Sequence, residues 1–278
     1  MLYLLLAIAS SAMVSLMMRV GESRVSGKMG LLAVNYIMCA GLSAYYTGFD
    51  RLFPAGEGLA STLAMGCVAG VFFLAGFVLL QLNVRKNGVV LSSIFMKLGL
   101  LVPMLVSIVL FGEQPQLLQI IGFIIAVAAI ILINLEKEQT NLQFKAGLIL
   151  LLLAGGSSDA MSKIFEEVGH PAYADQFLLY TFGVALLLNL LLMLKEGQRI
   201  GKAELFYGLL LGVPNYYAAR FLLKSLGSLP AVIVYPTYSV GALVAITLGG
   251  VCLFGERLGK RQWLAVGLIM LALILLNI

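Results

Sequence analysis

Ten apolar runs, each close to twenty residues long, divide almost the whole chain, and this limits the fold more than any other feature. A helix needs about 20 apolar residues to cross the hydrocarbon core of a bilayer. Only helices and closed barrels satisfy their backbone hydrogen bonds there. The runs are continuous rather than alternating, which excludes a barrel. The spans are read at about residues 2–20, 30–49, 61–82, 88–111, 117–135, 146–165, 174–194, 204–223, 229–253 and 262–278. Turn formers separate them, among them Asn87-Gly88, Gly112 to Pro115, Gly169 to Pro171 and Gly255 to Gly259. The first run has no basic segment ahead of it and no small-residue cleavage site behind it, so it reads as a retained span.

Composition agrees. The 278 residues are 61% hydrophobic and 11% charged, whereas soluble domains are roughly a quarter charged. Cys39, Cys67 and Cys252 all stand in apolar runs and read as packing residues. The single histidine, His170, lies in a connector, so no metal site is expected. There is no HExxH and no pair of intramembrane aspartates. No catalytic residue, cofactor or enzyme activity is therefore expected. The net charge of +5 does not point to nucleic acid, because the cations are spread over short loops. Clusters such as Arg85-Lys86, Lys195/Arg199/Lys202 and Arg257/Lys260/Arg261 follow odd-numbered spans, while even-numbered ones are followed by Arg51 and Lys224, with Lys163 at the end of span six. By the positive-inside bias the odd loops are cytoplasmic, and both termini lie outside a cell membrane.

An internal repeat organises the spans. Leu110-Phe111-Gly112-Glu113 recurs as Leu253-Phe254-Gly255-Glu256. Asn134 and Asn277 each follow their glutamate at the same distance, and Gly66-x-x-x-Gly70 is echoed by Gly208-x-x-x-Gly212. Gly122 and Gly267 fall inside the two helices that follow the glutamates. The repeats are residues 1–138 and 144–278. Each holds five spans, an odd number, so the second must be inverted relative to the first. The expected fold is an all-α membrane protein of ten transmembrane helices in two inverted five-helix repeats, a construction of secondary transporters. The small-xxx-small patches suit close helix packing, either within the chain or between two copies.

The repeated Phe-Gly-Glu before a glycine-containing helix resembles the drug/metabolite transporter superfamily, in its EamA-like ten-helix branch. The stretch Gly88 to Pro103, Asp159-x-x-x-Lys163, and Pro214-Asn215-Tyr216 with Tyr235-Pro236 are similar to its metabolite-type members. The resemblance implies alternating-access carriage of small organic solutes and leaves the substrate open. One departure is that Pro103 precedes Glu113 by ten residues whereas Pro236 precedes Glu256 by twenty.

Ionisable side chains inside spans cost about 2.5–3.5 kcal/mol and mark pathways. Lys97 is near the middle of span four, in the same span as Ser93. Arg220 is in span eight, close after Asn215, Tyr216 and Tyr217. Asp159 and Lys163 share one face of span six, one turn apart. Three readings stay open for these charges: solute ligands, an Asp159–Lys163 pair within the helix, or a Lys97–Asp159 bridge. Tyr180, Tyr235 and Tyr238 are candidates to line a cavity. Pro103, Pro214 and Pro236 are candidate hinges. Glu113 and Glu256 read as carboxylates at helix N-termini. Three cations against one anion within spans favour an anionic or zwitterionic solute, amino-acid- or nucleobase-like, and guanidinium suits a carboxylate. Coupling to a proton or cation is compatible with this, as is a monomer or a homodimer. The alternative is a multidrug or quaternary-amine carrier with a tyrosine cage. A membrane-embedded lipid-handling enzyme or subunit is a more distant one.

Overall fold

The structure, a computed structural model, describes residues 1–22, 24–25, 27–54, 56–87, 89–134, 145–254 and 260–276. Among these the chain forms helices and no strand. They are α1 (Leu2–Glu22), α2 (Lys28–Thr47), α3 (Leu59–Asn87), α4 (Val89–Leu98), α5 (Leu101–Phe111), α6 (Leu117–Asn134), α7 (Lys145–Val168), α8 (Ala174–Lys195), α9 (Lys202–Leu226), α10 (Ala231–Phe254) and α11 (Lys260–Leu276). Short 3-10 turns at Phe49–Arg51 and Pro171–Tyr173 follow α2 and precede α8. Every expected span coincides with a helix to within a few residues, except that the fourth is divided into α4 and α5. Glu256, Asn277 and the connectors at 135–144 and 255–259 lie outside the described residues.

Five of these helical stretches are long and apolar enough to cross a bilayer: Lys28–Thr47, Leu59–Asn83, Lys145–Val168, Pro171–Lys195 and Ala231–Leu253. Exposed faces are apolar as well. Leu187, Leu191 and Leu194 of α8 and Ile120 and Ile124 of α6 are exposed, an arrangement suited to lipid and not to water. Two helices end on glycine where no other residue would fit easily. Gly48 (φ +84°) closes α2, and Gly112 (φ +67°) closes α5 in the left-handed region, its N–H donating to the Ser107 carbonyl.

The chain forms two compact units, residues 1–74 with 164–227 and residues 75–163 with 228–278. These units are not the sequence repeats; each draws helices from both halves, and the chain passes between units within α3 and within α7. In the first unit α2 packs along both α8 and α9, and α1 packs along α9. The glycine pairs lie at these seams. A Cβ on Gly66 would come within 2.7 Å of the Tyr180 Cβ, and one on Gly70 within 2.5 Å of the Thr181 carbonyl, both on α8. A Cβ on Gly208 or Gly212 would come within 2.5 Å of Val34 or Met38 on α2. Both small-xxx-small motifs thus serve packing inside the chain. Substituting Gly212→Leu is expected to cost about 3 kcal/mol by overpacking. Gly41, with open space around its Cβ position, should accept Leu. Thermal midpoints of the two variants in detergent check this.

In the second unit α6 packs along α11, and α10 meets α5, α6 and α11. Its core is built from Leu100, Ala126, Ala129, Ile130, Val240, Ile269 and Ala272. Small residues here let α6 and α11 approach: a Cβ on Gly122 would come within 3.1 Å of the Ala272 carbonyl.

Candidate solute-binding site

The division of span four follows from Pro103. Proline has no N–H, and its ring crowds the carbonyl four residues earlier, which is that of Gly99. The Gly99 carbonyl accepts instead from Val102 at 3.0 Å, while Gly99 and Leu100 donate to the Met96 and Lys97 carbonyls at 3.2 and 3.4 Å. The chain tightens to three-residue hydrogen bonds and restarts as α5. The break nests against α7, where a Cβ on Gly156 would overlap the Gly99 carbonyl and the Val102 side chain. Pro214 and Pro236 sit inside the unbroken helices α9 and α10. Only Pro103, of the three candidate hinges, coincides with an interruption.

Lys97 occupies the last turn of α4, immediately before this break. A cation there is favoured by the negative end of the helix dipole. Asp159 lies on α7, three residues beyond Gly156, within electrostatic reach of Lys97. Among the described residues no ion pair joins them, and both side chains are only partly buried. The Tyr235 hydroxyl donates to the Asp159 backbone carbonyl at 2.6 Å, tying α10 to α7 at this level. The side chain of Ser93 lies outside the described ones. Tyr238 is partly buried on α10.

Lys163 does not pair with Asp159. Its ammonium reaches Glu113 at 2.9 Å, with 3% of the lysine side chain and 14% of the glutamate exposed. The same carboxylate accepts from the Ala231 and Val232 amides at 3.0 and 3.1 Å. Glu113 therefore does sit at a helix N-terminus, as its position before a helix suggested. The helix is α10, however, not its own α6. Burial raises the Glu113 carboxyl, but the Ser107 hydroxyl, the Ala231 amide, Lys163 and the Val232 amide outweigh this and hold it below the ordinary glutamate value.

The first unit holds a separate charged cluster. Arg220 on α9 pairs with Asp175 in the first turn of α8, Nη2 lying 3.1 and 3.2 Å from its two carboxylate oxygens. Its Nη1 donates to the Tyr216 hydroxyl at 2.6 Å. The Tyr46 ring covers the guanidinium face at 3.7 Å, and Tyr46 and Tyr217 share a hydrogen bond at 2.8 Å. These tyrosines thus gather around the protein's own guanidinium. Arg220 is not at mid-span: α9 runs only six residues further, and its partner begins α8. Deeper in the same seam, Asn215 donates to the Asn35 Oδ1 at 3.2 Å, and the Cys39 thiol donates to the Gly212 carbonyl. Tyr180 donates to the Leu52 carbonyl at 2.6 Å and so holds the connector after α2.

Asp175, Tyr46 and Asn35 escaped the reading of the sequence. Asp175 could have been found as the acidic residue opening span seven. Tyr46 sits at the end of span two like any interfacial aromatic, and nothing local marks its role.

Among the described residues, helices with apolar outer faces, five of them long enough to cross a bilayer, mark an integral membrane protein. Residues 145–278 match the model of the EamA-like transporter family. Those residues are thus similar to a family of membrane transporters that is part of the drug/metabolite transporter superfamily. The chain is 25% identical over 277 residues to an uncharacterized protein of Haemophilus influenzae, covering 95% of this chain and 93% of that one. A crystal structure of a protein with 16% identity has the same fold, with a TM-score of 0.73 over 99% of this chain and 94% of the other.

Proposed function

We propose that the chain is a secondary transporter that moves a small anionic or zwitterionic metabolite across the cell membrane by alternating access. The observation that carries this is the interrupted fourth span. Half-helices that end near the bilayer centre present backbone and side-chain charge to a solute. Here the end of α4 presents Lys97, and Asp159 stands within electrostatic reach on α7. A zwitterion with a carboxylate toward Lys97 and an ammonium toward Asp159 satisfies both.

The helix pairing supports the inverted repeat behind this mechanism. In repeat numbering α2 and α8 are equivalent spans, as are α5 and α10, and α6 and α11. Each such pair is in direct contact. The Gly66/Gly70 seam of α3 on α8 is the counterpart of the Gly208/Gly212 seam of α9 on α2. With both termini outside, the Glu113–Lys163 pair and the Arg220–Asp175 pair sit at the extracytoplasmic ends of their units.

The test is solute flux in reconstituted vesicles across a panel of amino acids, nucleobases, carboxylates and amines. Transport concentrated among zwitterions and anions supports the reading. Transport confined to lipophilic cations overturns it.

A further inference from the structure

The first unit contains a recess of ≈ 270 Å³ at the end where α7 stops, α8 begins and α9 finishes. Its lining divides by chemistry. Arg220, Asp175, Glu166 and Lys224 supply its charged lining, and Phe165, Leu178 and Leu223 its apolar lining. Ligand pockets for drug-sized molecules run from about 300 Å³ upward, so this recess suits something smaller.

The Arg220 guanidinium is pre-set. A guanidinium carries five N–H donors in a fixed plane. Tyr216 takes one from Nη1, and Asp175 draws on Nη2. Tyr46 stacks on one face and fixes that plane. Further donors of the fork remain for a carboxylate. Asp175, with 28% of its side chain exposed, keeps carboxylate surface for a cation. Opposite charges a few ångströms apart beside apolar lining match a molecule that carries an ammonium and a carboxylate on one end and hydrocarbon on the other.

We propose that this recess is a second solute site, distinct from the Lys97–Asp159 pair, which takes a small zwitterion with an apolar side chain. The carboxylate binds Arg220, the ammonium binds Asp175, and the side chain lies against Phe165, Leu178 and Leu223. The proposal rests on the reading of the chain as a carrier of polar solutes, and makes the recess a capture site near one membrane face. A zwitterionic lipid headgroup shares part of this chemistry, and the test separates the two sources.

The experiment is equilibrium binding of L-leucine to the purified full-length protein in detergent. L-leucinamide lacks the carboxylate, 4-methylpentanoate lacks the ammonium, and glycerophosphoethanolamine represents a headgroup. L-leucine is expected to bind, with both truncated analogues about tenfold weaker or worse, the loss that follows one missing charged hydrogen bond. Arg220→Lys and Asp175→Asn should each weaken L-leucine similarly, and should do so to the same extent in a Lys97→Ala background, where the Lys97–Asp159 pair has lost its ligand for the carboxylate. Leu223→Trp fills the recess without touching the ion pair and should also abolish binding; it carries the test if the charge variants do not fold. Binding that survives Leu223→Trp but is lost in Lys97→Ala overturns the proposal while leaving the proposed function standing. So does glycerophosphoethanolamine binding where L-leucine does not. Vesicle flux of zwitterions together with no L-leucine binding in the recess would likewise overturn the site alone.

Discussion

Removing the Lys97 charge by Lys97→Ala is expected to lower solute flux by about 10- to 100-fold, the range set by losing one hydrogen bond from a charged group at 1.5–3 kcal/mol. Asp159→Asn is expected to do the same. Asp159 is on a helix long and apolar enough to cross a bilayer and Lys97 is in the last turn of the short α4, neither is fully buried, and no ion pair joins them among the described residues. A structural ion pair makes a different prediction from two solute ligands. In a structural pair, each single neutralisation strands one buried charge and destabilises the fold, and the double variant recovers both stability and function. As ligands of one solute, the two single variants keep their thermal midpoints, and the double variant stays as inactive as the worse single one. Initial flux rates and midpoints of the two singles and of Lys97→Met/Asp159→Asn decide between them. Recovery of flux in the double variant would remove this pair from the solute path.

The helices were legible in the sequence because a bilayer imposes one demand, a run of about twenty apolar residues. Hydropathy reads that demand directly, which is why the boundaries of α1, α6 and α8 fall so near those expected. The same signal hides the break in span four. Leu98, Leu100 and Leu101 are as apolar as an unbroken helix requires, and only Pro103 betrays the interruption. Pro214 and Pro236 carry the same local mark without breaking their helices, so proline alone does not settle it. The packing of Gly156 against Gly99 is what accommodates a break at this one place.

The candidate site residues were those whose presence in a span is itself anomalous. Lys97, Asp159 and Arg220 were found that way. Their partners were not, because a partner is fixed by tertiary neighbours far apart in sequence. Lys163 stands one turn from Asp159, yet its ammonium goes to Glu113, fifty residues away in the chain. Charge arithmetic counts Lys163 as a free cation of the pathway, whereas the fold spends it on a helix junction. Asp175 was missed for the converse reason: an acidic residue in the first turn of a helix is ordinary, and only Arg220 gives it a further role.

The second large effect concerns that junction. Glu113→Gln is expected to lower stability by about 3 kcal/mol, the scale of breaking a buried pair and leaving one charge alone. Three elements meet at this carboxylate: the end of α5, Lys163 near the end of α7, and the first amides of α10. Glutamine keeps the size and still accepts a hydrogen bond, but it cannot neutralise Lys163 or oppose the dipole of α10 with a full charge. At roughly 2–4 °C per kcal/mol for a chain of this length, the thermal midpoint should fall by about 6–12 °C. The pH dependence has a definite sign. The folded carboxyl is held below the ordinary glutamate value, so its contribution is fully present above that value. It is lost as pH falls from there through the lower, folded value. The wild-type midpoint should therefore drop in that acidic window, and Glu113→Gln, already lacking the charge, should lose correspondingly less. Lys163→Met tests the same junction from the other side: alone it should destabilise, and combined with Glu113→Gln it should recover part of the loss, because the unpaired ion is then gone. Equal acid sensitivity in wild type and Glu113→Gln would show that the Glu113 charge does not hold α5, α7 and α10 together.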